Sequence, residues 1–350
     1  MKGIAWLAEQ IHNLGLKLGI YLNNGKFTCQ HFAGSEGFLK EDISLLGTWK
    51  VDGLKLDTCY ISKETFDNVA MSYKEASLAI KDTGRPMAFI CSYPYYQIHG
   101  GGMSGLKGGV DPDFYLASQI CDTYRFMDDV NLPPADARIR DIIGFMSKHQ
   151  DDMLAYTGPG HWPDPDMLLL GSHLTEKYPL SLQKIQLVMW IMVSAPLLMS
   201  NDPSRLSREA LDLLTSPILL RIHRDPLVQA AHRVLTISSS KKSDTAQLWV
   251  KPLSNGAVVA AFVNFDATQT VTIHVSVSEL GRFENPDMNI PGSKIMQCDF
   301  LFNELILPEN IGNFTSGTLS DDSFTVDVTP MNVRLFQITA QGDSPGGPHL

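Results

Sequence analysis

The amino-acid sequence predicts an α/β domain followed by a smaller antiparallel β domain. Three observations carry this reading. Short apolar strands alternate with amphipathic helices up to about residue 226, the pattern of a mostly parallel sheet. From about residue 230 the apolar period falls to two, the period of half-buried strands. The chain has 350 residues, 44% of them hydrophobic and 19% charged, enough for one large domain and a small one.

In order, Ile4, Leu7, Ala8, Ile11 and Leu14 space an amphipathic helix over 2–15, ended by Gly15. Strands follow near 16–23, 53–57, 86–92, 122–127, 155–162 and 197–200. Helices lie between them over 36–50, 63–82, 112–120, 135–152 and 180–194, with a last one over 205–215. This alternation fits an α/β barrel or a doubly wound sheet. The latter usually carries a nucleotide site, and no Gly-rich phosphate fingerprint occurs here. An eight-fold barrel needs two more units than the chain shows. Strands near 246–250, 258–264, 271–277, 324–328 and 333–338, with a hairpin signal at Asn255-Gly256, make 227–340 a β-sandwich. Residues 341–350, rich in Gly and Pro, read as a disordered tail.

The net charge of -10 argues against nucleic acid, which needs a basic face, and suits a neutral substrate such as a sugar. Five cysteines are too few for a disulfide scaffold, and no Cys-x-x-Cys or His-Glu-x-x-His marks a zinc site. The longest apolar run, 187–199, is too short to span a bilayer and contains Pro196. The apolar start before Glu9 is short for a signal peptide. Asn313-Phe314-Thr315 is a glycosylation sequon.

Chemistry gathers at the strand ends. Gly53-Leu54-Lys55-Leu56-Asp57 is a buried strand whose alternation puts Lys55 and Asp57 on one face. Burying both is costly unless they work or pair, so they are either a site floor or a structural ion pair. Tyr21 closes the preceding strand, and Ser92 and Tyr96 follow the next. Arg125 and Asp129 follow the fourth, with Asp128 an equal candidate on spacing. Asp164 and Asp166 lie in Gly158-Pro-Gly-His-Trp-Pro-Asp-Pro-Asp-Met167. Paired carboxylates with cationic orienters and aromatics describe a glycosidase pocket. The competing readings are a solvated cluster at 125–129, and a Pro-shaped turn or a metal-binding carboxylate pair at 164–166. His161 alone reads as structural.

Gly19-Ile20-Tyr21, Leu54 to Tyr60, Gly158 to Met167, and Ala195-Pro-Leu-Leu-Met-Ser-Asn-Asp202 together resemble glycoside hydrolase family 27, which holds the animal α-galactosidases and α-N-acetylgalactosaminidases. The resemblance implies a (β/α)8 TIM barrel followed by a β-sandwich, here missing its first two strands, with the catalytic part over 1–226. It implies retaining hydrolysis of terminal α-linked galactose or N-acetylgalactosamine on glycans and glycolipids. The rival is an inactive, truncated product that keeps only the fold or sugar binding.

Carried over by position, the resemblance makes Asp57 the nucleophile. Asp129, four residues after the motif arginine, becomes the acid/base. Tyr21, Lys55, Ser92, Tyr96, Arg125 and Asp166 become sugar contacts. In the specificity loop, Cys91 to Tyr96, Ser92 matches the N-acetylgalactosaminidase type and Tyr95 matches neither type. Pro163 and His161 replace a usual Asn and Gly. The resemblance pairs Cys29 with Cys59 and Cys91 with Cys121, leaving Cys298 over. It implies no metal or organic cofactor, a lysosomal or secreted setting, and the homodimer that family members often form.

Overall fold

The computed structural model describes residues 2–62, 66–100, 108–131, 134–171, 179–239, 242–276, 299–305, 316–319 and 323–341. The chain divides into two compact units, one of Met1–Asp129 with Ala155–Asp166, the other of Val130–Leu154 with Met167–Leu350.

The first unit is a parallel sheet with helical connections. Helix α1 (Ile4–Asn13) ends in a Schellman motif: Gly15 sits at φ 74° while its N–H and that of Leu16 bond the carbonyls of His12 and Ile11. Strand β1 (Gly19–Asn23) follows, then α2 (Leu39–Thr48), β2 (Gly53–Asp57), α3 (Phe66–Asp82) and β3 (Ala88–Cys91). Next come α4 (Tyr93–His99), α5 (Phe114–Ile120) and β4 (Thr123–Arg125), and the sheet closes with β5 (Trp162–Asp164). The strands lie in sequence order β1-β2-β3-β4-β5, all parallel, so every carboxyl end opens on one edge. Leu54 and Leu56 face a core with Val51, Ile43, Leu46, Tyr73 and Phe89. Lys55 and Asp57 alternate with them and are half-buried, as the period of β2 predicts.

The second unit joins helices to the β-sandwich. It holds α6 (Ala135–Lys148), and then α8 (Leu180–Met192), α9 (Arg208–Leu214) and α10 (Pro217–His223), while α7 (Gln150–Tyr156) runs across the division between units. All of α8 from Leu182 to Met192 is buried, which explains why its apolar residues run all round the helix. Strands β6 (His232–Ser239), β7 (Lys242–Pro252), β8 (Val258–Asn264), β10 (Asp299–Glu304), β11 (Ser316–Leu319) and β13 (Asn332–Gln341) form an antiparallel sheet ordered β11-β10-β13-β8-β7-β6. A second sheet pairs β9 (Val271–Ser276) with β12 (Ser323–Val328). Leu248, Val250, Phe262 and Phe336 meet Ile273 and Val326 in the core between the sheets.

Several sequence expectations shift. The strand expected over 155–162 is the end of α7 and then β5, because Gly158 and Gly160 build a turn closed by reciprocal bonds between Gly158 and His161. Instead of a strand over 197–200, Met199 makes an isolated parallel bridge to Leu168. The helix expected over 135–152 breaks at His149. Residues 205–215 resolve into a 3₁₀ turn at Pro203–Arg205 and α9, where Ser207 caps Ala210. The expected loop at Tyr93–Tyr96 is α4, with Pro94 in its first turn. Strands β6, β10 and β11 escaped the periodicity reading. Gln341, expected in the tail, closes β13, while 342–350, Asn313 and Cys298 lie outside the described residues.

Candidate active site

The site forms at the carboxyl edge of the first unit's sheet. Strand pairing sets Tyr21 of β1 beside Lys55 of β2, and Asn23 beside Asp57. Asp57 is held by neutral donors. The Tyr21 hydroxyl donates to its Oδ2 at 3.1 Å, the Thr58 amide to its Oδ1 at 3.0 Å, and the Tyr96 hydroxyl also to Oδ1. Burial, then the Asp57 charge, push the Tyr21 and Tyr96 phenols well above their ordinary pKa, so both stay protonated donors. Tyr73 stands behind them, fully buried, bonding the Leu56 carbonyl and accepting from the Thr58 hydroxyl. The sequence reading did not single out Tyr73, since no local signal shows that it braces the strand end.

Arg125 ends β4 and is 6% exposed. Its guanidinium bonds Asp129 at 2.8 Å and Asp166 at 3.2 Å. Burial alone would lower its pKa, but Asp166, Asp164 and Asp129 outweigh that and keep it charged. Asp164 is 1% exposed and accepts the Asp166 amide at 2.9 Å, holding Asp166 in the left-handed region at φ 82°. A non-glycine residue there is strained, and such strain persists only where the surroundings impose it. Asp129 is exposed, open to a substrate. Its charge, like that of Asp57, acts on the Tyr21 hydroxyl, so one phenol feels both carboxylates.

Helix α4 brings in the remaining aromatics. Ser92 is buried at its N-cap and Tyr96 one turn on. Tyr95 stacks on His99 with centroids 5.1 Å apart, meets the Tyr96 ring edge-on, and lies 6.0 Å from the Arg125 guanidinium. Burial and a hydrogen bond with Asp128 raise its pKa. Asp128 thus faces Tyr95 while Asp129 takes the arginine, which separates two neighbours that spacing left equal. Lys55 differs from expectation: among the described residues no salt bridge joins it to Asp57, whose direct donors are phenols and an amide.

The two expected disulfides are present: Cys29–Cys59 joins the loop after β1 to the turn after β2, and Cys91–Cys121 joins the end of β3 to the C-cap of α5. Cys29 Sγ lies 3.4 Å from Asp57 Oδ2, a contact and not a hydrogen bond, since a disulfide sulfur carries no proton. The one metal-like cluster among the described residues, Cys29, Asp57 and Cys59, uses those bonded sulfurs and so offers no thiolate.

Known proteins are similar to this chain in sequence and fold. The family model described as Alpha galactosidase A matches residues 1–225, and that of the Alpha galactosidase C-terminal beta sandwich domain matches 243–294. The chain belongs to glycoside hydrolase family 27. Human Alpha-N-acetylgalactosaminidase is 32% identical over 341 residues, covering 96% of this chain and 73% of the human protein. Human Alpha-galactosidase A is 33% identical over 264 residues, covering 75% of this chain and 56% of that protein. The alpha-galactosidase structure of Saccharomyces cerevisiae, 19% identical, superposes with a TM-score of 0.77 over 97% of this chain and 83% of that one, which shows the shared family 27 fold.

Proposed function

We propose that the protein is a retaining exo-glycosidase that removes terminal α-linked galactose or N-acetylgalactosamine from glycans and glycolipids. The observation that carries this is the pair of unlike carboxylates at one sheet edge: Asp57 gripped by neutral donors, and Asp129 exposed on a buried arginine. In the first step Asp57 attacks the anomeric carbon while Asp129 protonates the departing glycosidic oxygen. In the second, Asp129 takes a proton from water, which displaces Asp57 and releases the sugar. Hydrogen bonds from Tyr21, Tyr96 and the Thr58 amide fix the direction of the Asp57 carboxyl group for the attack. Arg125 holds Asp129 for its work on the glycosidic oxygen and Asp166 for contact with sugar hydroxyls, a contact that Lys55 and Arg125 share.

Ser92 supports acceptance of an N-acetyl group, since a larger acid or amide there would crowd it. Tyr95, drawn towards Asp128 and His99, is the second specificity residue. The domain assignment we favour is a catalytic barrel portion over 1–226 and a β-sandwich over 227–340. Two disulfides suit an oxidising export route to a lysosomal or secreted location. No helix of the described residues is long and apolar enough to cross a membrane. A homodimer is the assembly we favour, from the family resemblance.

The test is the anomeric outcome. Proton NMR of an aryl α-galactoside during hydrolysis should show α-galactose first, with the β anomer appearing by mutarotation. β-galactose as the first product would overturn the double displacement, and absence of hydrolysis of both the galactoside and its N-acetyl analogue would overturn the glycosidase reading.

A further inference from the structure

An aromatic cluster beside Asp57 has no role in the chemistry above. It is built from the loop after β1 and the turn after β2. The rings of Phe27 and Tyr60 meet edge-to-face with centroids 6.2 Å apart, and the His31 ring lies 4.9 Å from that of Tyr60. His31 Nε2 and the Tyr60 hydroxyl are hydrogen-bonded at 3.1 Å. Phe27 leaves 39% of its surface open, and His31 is exposed. This set is held from several directions.

Asn23 is the frame's centre. Buried at the end of β1, it donates to the carbonyls of Phe27 and Cys59, both at 2.8 Å, and accepts the Cys59 amide at 2.6 Å. The Cys29–Cys59 disulfide ties the same two segments, and the Lys26 amide bonds the Tyr60 carbonyl. Gly25 passes so close under Cys59 that a Cβ would lie 1.9 Å from its carbonyl oxygen, so only glycine fits. His31 and Tyr60 are both left-handed, at φ 61° and 53°, a strain this frame imposes. The frame also fixes the cluster's place. Cys29 Sγ touches Asp57 Oδ2 and lies 3.6 Å from the Tyr21 hydroxyl, and Tyr60 follows Cys59 directly.

We infer that Phe27, His31 and Tyr60 form an aglycone subsite that binds the sugar ring leaving from Asp57. This rests on the glycosidase reading and adds the side of the substrate that the carboxylates do not read. A pyranose presents a face of C–H groups that packs on an aromatic ring, and a rim of hydroxyls that meets polar tips. Phe27 supplies the apolar surface, and the exposed His31 with the half-buried Tyr60 supplies the polar edge. A lipid aglycone would favour an unbroken apolar patch, which the imidazole, the phenol hydroxyl and the Lys26 ammonium 5.5 Å from the Phe27 ring interrupt. Rigidity matters here because binding energy from a remote ring helps the reaction only when that ring is fixed relative to the attacked bond.

The experiment compares substrates with and without an aglycone ring. For the full chain and its Phe27→Ala and Tyr60→Phe variants, kcat/KM is measured on raffinose and on α-galactosyl fluoride, with melting temperatures as a check of folding. We expect Phe27→Ala to reduce the raffinose value about tenfold more than the fluoride value, with Tyr60→Phe showing a smaller split of the same sign. Equal losses on both substrates would overturn the subsite. A loss confined to a galactosyl lipid would assign the cluster to lipid and overturn the sugar assignment. A protein that hydrolyses neither substrate fails the glycosidase reading itself. The subsite is then read by saturation-transfer NMR with raffinose on the Asp57→Asn variant. Transfer to the non-galactose rings, lost on adding Phe27→Ala, supports it, and no transfer to those rings overturns it.

Discussion

Asp52 and Asp57 bracket the same strand, β2, and are held in opposite ways. Asp52, at the amino end, is met by His12 at 2.6 Å, Arg85 at 2.6 Å, Lys17 at 3.6 Å and the Leu18 amide at 2.9 Å. Asp57, at the carboxyl end, takes its hydrogen bonds from two phenols and an amide, and among the described residues no salt bridge reaches it. Burial would raise the Asp52 pKa, but the Leu18 amide, then His12 and Arg85, bring it down to about 2. A carboxylate saturated by cations is tied into the fold: it joins the end of α1 to the starts of β1, β2 and β3. One held by neutral donors is tied to no cation among the described residues and stays open to an electrophilic carbon. The difference follows the sheet's polarity, with chemistry at the carboxyl edge and cohesion at the amino edge.

The largest effect that tests this contrast comes from Asp57→Asn. We expect kcat to fall by roughly four orders of magnitude or more, with the melting temperature nearly unchanged, because the amide keeps the shape and loses the nucleophile. A variant that stays active but melts early would reverse the roles of the two aspartates.

Asp129→Asn sharpens the division of labour at the carboxyl edge. Turnover of substrates with a poor leaving group, such as an alkyl galactoside, should drop about 10²–10⁴-fold, the usual worth of general acid catalysis. An aryl galactoside with an acidic phenol should lose far less in the first step, since its leaving group needs no proton. Equal losses on both, measured in a burst experiment, would place Asp129 outside proton transfer.

The smallest effect on activity belongs to Asp52→Asn. It should lower stability by roughly 2 kcal/mol, from charge-assisted hydrogen bonds weakened at His12 and Arg85, and leave kcat of the folded protein within about twofold. The pH dependence has a definite sign. The folded pKa of about 2 lies below the ordinary aspartate value of 3.8, so the Asp52 contribution is complete above about pH 4 and disappears as the pH falls towards 2. Urea midpoints measured across that window should fall more steeply in the parent protein than in the variant. Parallel slopes would remove Asp52 as the acid-sensitive tie.

Much of this was readable from residue order alone. Period two at Leu54-Lys55-Leu56-Asp57 gives the strand and the face of its charges, because a pleated strand alternates sides whatever surrounds it. Gly15 after an apolar 3.6 repeat gives the end of α1, because the Schellman turn needs a left-handed residue there. The family motifs added the disulfide pairs and the likeness to glycosidases. Tertiary structure alone decided which neighbouring aspartate meets Arg125, since Asp128 and Asp129 differ only in direction after the chain leaves β4. It alone put Tyr73 and Asn23 behind Asp57, where an ordinary core tyrosine and a strand-end asparagine become braces by virtue of what packs beside them. It also replaced Lys55 by phenols as the donors to Asp57. Spacing records which face a side chain leaves from, and only the packed sheet determines where its tip arrives.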